Sequence, residues 1–291
     1  MEYEKVKYMH VEKFGSDEVE GIENCTSYVL PKIDGTNGVI WFENGRIHCG
    51  SRKRELSEES DNAGFFKQFH DDERFKSLFH DFPHLIIYGE FLVKNVIRDY
   101  EETAWRKFYV FDVKSGGRWL TPKEYIPILT KYKIDYIPVM CEVTRPTKEQ
   151  LVDLCEKATF LMKDGKPGEG IVLHAPGFVN KFGRTVWAKL VRAEFKAVKH
   201  GGVKRTSING VESAMVEKYF TPAFITKEYA KLVNDMGGWK SEYIPRLLGT
   251  TYHTFITECA WDMVKKNPTI NFGVLHRLCT EKTKDVMKSV F

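Results

Sequence analysis

Lys32-Ile33-Asp34-Gly35-Thr36-Asn37-Gly38 sets a lysine, an acid two places on and then a glycine in one short run. Apolar residues lie on both sides, Tyr28-Val29-Leu30 before it and Val39-Ile40-Trp41-Phe42 after it. This context predicts strand, tight loop, strand. Lys32 is then held on a rigid edge over a pocket, as a candidate covalent nucleophile. The glycine lets the backbone come close to a ligand. A single K-x-D-G recurs by chance, so the surrounding chain has to supply its meaning.

Outward from this run the pattern is mainly strands, from about residue 26 to 192. Asn44-Gly45, between Val39–Phe42 and Arg46–Gly50, is a strong signal for a tight hairpin turn. Leu85-Ile86-Ile87-Tyr88, Phe108-Tyr109-Val110-Phe111, Ile171-Val172-Leu173 and Val186-Trp187-Ala188 are short and rich in β-branched or aromatic residues. Helical patterns fall around residues 62–80 and 147–162. No βαβ rhythm and no G-x-G-x-x-G is present. The expected fold class is α+β, antiparallel sheets with flanking helices.

Composition shifts near His200-Gly201-Gly202, and the period beyond becomes helical. Ile225, Tyr229, Leu232, Val233 and Met236 share one face, as do Phe255, Ile256, Cys259 and Met263. Asn271 reads as the N-cap of a last helix carrying Leu275 and Leu278. The expected division is residues 1–202 as an α+β domain and 203–291 as a small all-α domain.

The 291 residues suffice for such a pair, and 42% hydrophobic with 29% charged content is ordinary for a soluble globular chain. A net charge of +4 permits nucleic acid as a partner without arguing for it. Six cysteines show no C-x-x-C spacing, the start lacks an apolar signal core, and no run reaches the length of a membrane span. Free thiols in a reducing cytoplasm are expected.

Polar residues interrupt the apolar strands at particular places. Glu90 lies in Tyr88-Gly89-Glu90-Phe91, and Asp112 follows Phe111. Glu169 sits between Gly168 and Gly170, Lys189 in Val186-Trp187-Ala188-Lys189-Leu190, and Arg52 just after the hairpin. A half-buried strand tolerates such groups where something pairs with them. Jointly they suit a phosphate reaction. Cations hold phosphate oxygens, carboxylates hold a hydrated Mg²⁺, and an aromatic covers a base.

The order K-x-D-G, Arg strand, G-E-F, F-Y-V-F-D, E-G-I-V-L, A-K-L resembles motifs I, III, IIIa, IV and V of the covalent nucleotidyltransferases, the polynucleotide ligases and mRNA capping enzymes. Lys32-Ile33-Asp34-Gly35-Thr36-Asn37 is most similar to the K-I-H-G-T-N run of the RNA ligase 2-like branch, which includes phage repair ligases and RNA-editing ligases. DNA ligases and capping enzymes carry Arg where this chain has Asn37 and an OB-fold after motif V. Three positions depart from the branch. Asp34 stands in place of His, and His174 in place of a lysine closing motif IV. Motif V reads Lys189-Leu190-Val191-Arg192, so its second cation is either lost or supplied by Arg192.

The resemblance implies an ATP-dependent RNA ligase. Lys32 would take AMP from ATP, pass it to an RNA 5′-phosphate, and a 3′-hydroxyl would then displace it. A free lysine has a pKa of about 10.4, so the first step needs neighbouring cations to release the amine. The implied metal carboxylates are Asp34, Glu90 and Glu169, for Mg²⁺ or Mn²⁺. Glu90 has the ribose as its alternative partner. Phe111 and Val172 would sandwich adenine, Asn37 and Arg52 reach ribose or phosphate, and Lys189 the α-phosphate. Arg52, Lys53 and Arg54 are candidates for a second phosphate site. Lys196, Lys199, Lys204 and Arg205 either track a duplex backbone or form a solvated linker. A cytoplasmic monomer acting in RNA repair is expected, in the host cytoplasm if the chain is viral. The alternatives are a DNA ligase or capping enzyme on the same core, or an inactive nucleic-acid-binding relative.

Overall fold

The computed structural model describes residues 3–192, 210–266 and 269–291. The chain divides into two compact units, Met1–Val198 and Lys199–Phe291.

The first unit is built on two five-stranded sheets. One has the order β1 (Glu12–Lys13), β10 (Ala188–Val191), β9 (Gly170–His174), β2 (Ser27–Lys32), β8 (Cys141–Val143). The other runs β4 (Arg46–Ser51), β3 (Thr36–Glu43), β5 (Leu85–Phe91), β6 (Phe108–Ser115), β7 (Arg118–Trp119). All pairings are antiparallel except β1 with β10. Asn44 and Gly45 turn β3 into β4 with φ of 50° and 78°, the left-handed pair that a tight hairpin requires.

Each sheet buries one outer face under helices. The second sheet packs Ile40, Ile87 and Val110 against Phe65, Phe69, Phe75 and Phe79. The short α1 (Tyr3–Val6) precedes β1; those phenylalanines come from α2 (Phe65–Phe69) and α3 (Glu73–Asp81), while α4 (Pro122–Lys131) adds Tyr125 and Leu129. The first sheet packs Val29, Ile171, Leu173 and Leu190 against Leu151 and Cys155 of α5 (Lys148–Lys157). The inner faces meet each other. Leu30 of β2 clusters with Tyr109 of β6, and Val172 of β9 packs against the group holding Trp41 and Tyr88. The space between the sheets is where β2 delivers Lys32 and β5 delivers Glu90.

The second unit is helical, with α6 (Val211–Tyr219), α7 (Pro222–Met236), α8 (Ile244–Lys266) and α9 (Phe272–Val286). Phe220, Ile225, Phe255, Leu275 and Cys279 form its buried core. Thr221 caps α7 by accepting from Phe224 N at 3.2 Å, and Asn271 caps α9 by accepting from Val274 N at 3.1 Å.

Two local expectations are corrected. Val186 and Trp187 precede β10 rather than belonging to it. The segment 62–80 breaks into two helices at His70–Asp72, where Asp72 caps the second by accepting from Arg74 N at 2.8 Å.

Candidate active site

Lys32 is the last residue of β2, opposite Gly170 at the start of β9. A Cβ at Gly170 would lie 2.0 Å from the Leu190 carbonyl oxygen, and its φ of +157° is one that side chains rarely adopt. The chain therefore passes tight against β10 just after Glu169. That path brings Glu169 Oε2 to 2.8 Å from Lys32 Nζ, with Glu169 only 7% exposed.

Glu90 approaches from the other sheet. It pairs in register with Asn37, and its Oε1 accepts from Gly35 N at 3.1 Å. Gly35 is pressed against β5, where an added Cβ would lie 2.4 Å from the Phe91 carbonyl oxygen. Burial pushes the Glu90 carboxyl up to about 6, against the opposing pull of Lys32 and then Arg52. Glu169 and Asp34 push it further up. All four groups are thus within electrostatic range of Glu90.

Register places the remaining inner-face residues. Lys189 stands opposite Val172, and Val172 opposite Leu30, two places before Lys32. Lys32, Val172 and Lys189 therefore share the inner face. Phe111 of β6 packs into the same inter-sheet space, its ring 5.0 Å from that of Tyr8.

Arg52 and Lys53 are exposed after β4. Arg54 is tied to its own loop through Ser60 Oγ at 3.0 Å and the Asp61 carbonyl at 3.1 Å. Lys196, Lys199, Lys204 and Arg205 lie outside the described residues.

Asp34, expected among the metal carboxylates, is bonded to the loop after β5. It is buried, and its carboxylate faces the loop after β5. Oδ2 accepts from Val96 N at 3.0 Å and Ile97 N at 2.9 Å, and Oδ1 accepts from Asn95 Nδ2 at 2.9 Å. Its own N–H donates to Tyr100 Oη at 2.8 Å.

Arg192 leaves the inner face. It pairs with Glu156 of α5 and donates to the carbonyls of Pro167 and Gly168 at 3.0 and 3.3 Å. The second motif V cation is thus turned to the back of the sheet. Asp112 does not end its strand. Buried inside β6, it accepts from Trp187 Nε1 at 2.9 Å and from the Tyr8 hydroxyl, with His174 Nδ1 at 3.1 Å. His174 thereby joins the two sheets, where a lysine was expected to close the motif. Asn95, Tyr100, Glu156 and Tyr8 carry no sequence signal of these roles, because each acts across a long stretch of chain.

Among the described residues no three His, Cys, Asp or Glu side chains converge as a direct metal set. Glu90 and Glu169 flanking Lys32 fit a divalent ion held through its own waters.

A sequence model of the RNA ligase family matches residues 27–191. No curated protein sequence matches the chain. Among solved structures, a Naegleria gruberi RNA ligase with PPi is similar over 67% of this chain, at 20% identity and a TM-score of 0.51. A variant of that ligase with ATP and Mn aligns over the same 67% at 19% identity and a TM-score of 0.51. Another, with AMP and Mn, aligns over 67% at 18% identity and 0.51. The chain spans 58% of the length of each. At these identities the likeness is one of fold.

Proposed function

The chain belongs to the RNA ligase family, and from that premise we propose that it joins RNA 5′-phosphate and 3′-hydroxyl ends through a covalent AMP on Lys32. The observation that carries this reading is the Lys32–Glu169 contact at 2.8 Å, on the face of the first sheet that looks towards Glu90.

In the first step Lys32 Nζ attacks the α-phosphorus of ATP. A P–N bond forms, the bond to the bridging oxygen breaks, and pyrophosphate leaves. In the second, an oxygen of the RNA 5′-phosphate attacks the same phosphorus and releases the lysine. In the third, a 3′-hydroxyl attacks the 5′-phosphorus and AMP departs. Dividing the reaction this way replaces one hard step by easier ones.

Glu169 holds the resting Lys32 side chain in place, and it is the acceptor nearest to the proton that must leave before attack. Glu90 and Glu169 would hold Mg²⁺ or Mn²⁺, which supplies charge neutralisation at the phosphate. Phe111 and Val172 take the two faces of adenine, Lys189 an α-phosphate oxygen, Asn37 and Arg52 the ribose or phosphate. Arg52 and Lys53 receive the RNA 5′-phosphate, while Arg54 stays with its loop. We assign the chain to the RNA ligase 2-like branch, acting as a monomer in cytoplasmic RNA repair. No described helix is long and apolar enough to cross a membrane.

The test is incubation with ATP or GTP labelled at the α-phosphate, followed by peptide mass spectrometry and a sealing assay on nicked RNA. AMP on Lys32 with RNA joined is the expected result. Label from GTP alone would indicate a capping enzyme, and no label from either would indicate an inactive relative.

A further inference from the structure

We propose that Asp34 is a positioning residue: it fastens the loop after β5 to the turn after β2, and it does not hold the metal. This rests on the reading of Lys32 as the adenylated residue.

A carboxylate has about four lone-pair positions. Three on Asp34 are filled by protein donors, the N–H groups of Val96 and Ile97 and the amide of Asn95. Asn95 Nδ2 also reaches the Gly35 carbonyl at 3.3 Å, and the Asp34 N–H reaches Tyr100 Oη at 2.8 Å. Asp34–Gly35 is thus bonded to both ends of the segment 95–100. Gly35 N in turn donates to Glu90 at 3.1 Å. The knot therefore fixes the turn that leaves Lys32 against the strand that carries Glu90. Swinging Asp34 towards a metal ion would strip two loop N–H groups of their acceptor.

The two roles predict opposite behaviour of Asp34→Asn. A metal role needs the negative charge, so Asp34→Asn and Asp34→Ala should be equally poor. A knot needs acceptors and shape. An amide oxygen can still take the Val96 and Ile97 N–H groups. Asn95 can turn its own amide over, since its Oδ1 is buried without a partner.

The experiment compares Asp34→Asn, Asp34→Ala, Asn95→Ala and Glu169→Ala in the full chain. Lysyl-AMP formation should fall at least about 30-fold in Asp34→Ala and stay within about fivefold of the parent in Asp34→Asn. Misplacing reacting groups by about an ångström costs on the order of a hundredfold. Two further readouts do not depend on turnover. Amide exchange at Val96 and Ile97 should quicken at least tenfold in Asp34→Ala but little in Asp34→Asn. Mn²⁺ binding, followed by electron paramagnetic resonance, should weaken in Glu169→Ala and hold within twofold in both Asp34 variants. Equal loss of adenylation in the two Asp34 variants, or a tenfold loss of Mn²⁺ affinity in both, would overturn the proposal. So would unchanged exchange at 96 and 97. If the parent formed no lysyl-AMP, the reading of Lys32 would fail, while the exchange and Mn²⁺ measurements would still decide the role of Asp34.

Discussion

Arg192 meets Glu156 in a two-pronged pair, Nε 3.1 Å from Oε1 and Nη2 3.0 Å from Oε2. The same guanidinium closes over the Pro167 and Gly168 carbonyls, immediately before Glu169. Its backbone N–H also bonds the Glu169 carbonyl at 2.9 Å. Arg192 is thus a brace behind the carboxylate that touches Lys32, and the two halves of the brace differ in worth. Glu156 is 49% exposed, so its half is a surface ion pair.

Arg192→Ala should therefore lower stability by about 1–3 kcal/mol, since the carbonyls lose their donors. Glu156→Gln should cost no more than about 1 kcal/mol. Urea denaturation of both variants measures the difference. Equal losses would place the value of the brace in the ion pair instead.

Lys32→Ala should abolish labelling by ATP yet keep part of the sealing of RNA already carrying a 5′-adenylate. The third step no longer needs the amine. Gel assays on the two substrates separate these activities, and ATP-dependent labelling that survives in the variant would remove Lys32 from the chemistry.

Glu90→Gln should stabilise the nucleotide-free protein at neutral pH. Burial raises the Glu90 carboxyl from 4.5 to about 6. The native state then keeps a proton that the unfolded chain releases, so the stabilising contribution is present below about 4.5 and is lost as pH rises through about 6. At about 1.4 kcal/mol per tenfold proton ratio, the gap is worth up to about 2 kcal/mol. Melting curves should show a gain of several degrees for Glu90→Gln at pH 7.5 and none near pH 4.5. Adenylation by the variant should nonetheless fall. A variant melting no higher than the parent at pH 7.5 would contradict the sign.

Asp112→Asn should cost about 3 kcal/mol or more, because one of three buried donors would face an N–H. Guanidinium denaturation measures this. A near-neutral result would mean that Tyr8, His174 and Trp187 find other acceptors.

A fragment ending near Arg205 should still adenylate itself while sealing RNA at least about tenfold more slowly than the whole chain. ATP fits one cleft, whereas two RNA ends need an extended surface to be aligned. The fragment must first be shown folded by circular dichroism. A folded fragment that seals at the full rate, or that fails to react with ATP, would refute this division of labour.

Features that depend on neighbours in sequence were legible. Asn44-Gly45 forms the hairpin, and the C-terminal faces around Ile225, Phe255 and Leu275 form the helical core. The strand-loop-strand setting of Lys32 also stands, and Glu169 reaches it across 137 residues. What sequence withheld were the partners of buried charges. Asp34 looks free in a K-x-D-G run, and only the fold brings Asn95 and Tyr100 to it. Asp112 reads as a strand end until Tyr8 and Trp187 arrive from the two ends of the unit. The helix Pro122–Lys131 was hidden differently. Pro127 lies inside it and breaks the pattern, although Thr121 and Glu124 form a capping box at its start.

The hairpin at Asn44-Gly45 has a practical use. It is exposed, and Arg46 beside it can carry a label while Gly45 keeps the φ of 78° that the turn requires. Seven residue steps along β3 separate Asn44 from Asn37, roughly 24 Å at the usual rise of a strand. The two strands leaving the tip run back to Asn37 and to Arg52 side by side, as neighbours in the second sheet. A fluorophore attached at this tip would ride on a two-stranded lever whose base is the proposed nucleotide site. Its polarisation could then report loading and release of the enzyme in real time, from a point too distant to touch the reacting atoms.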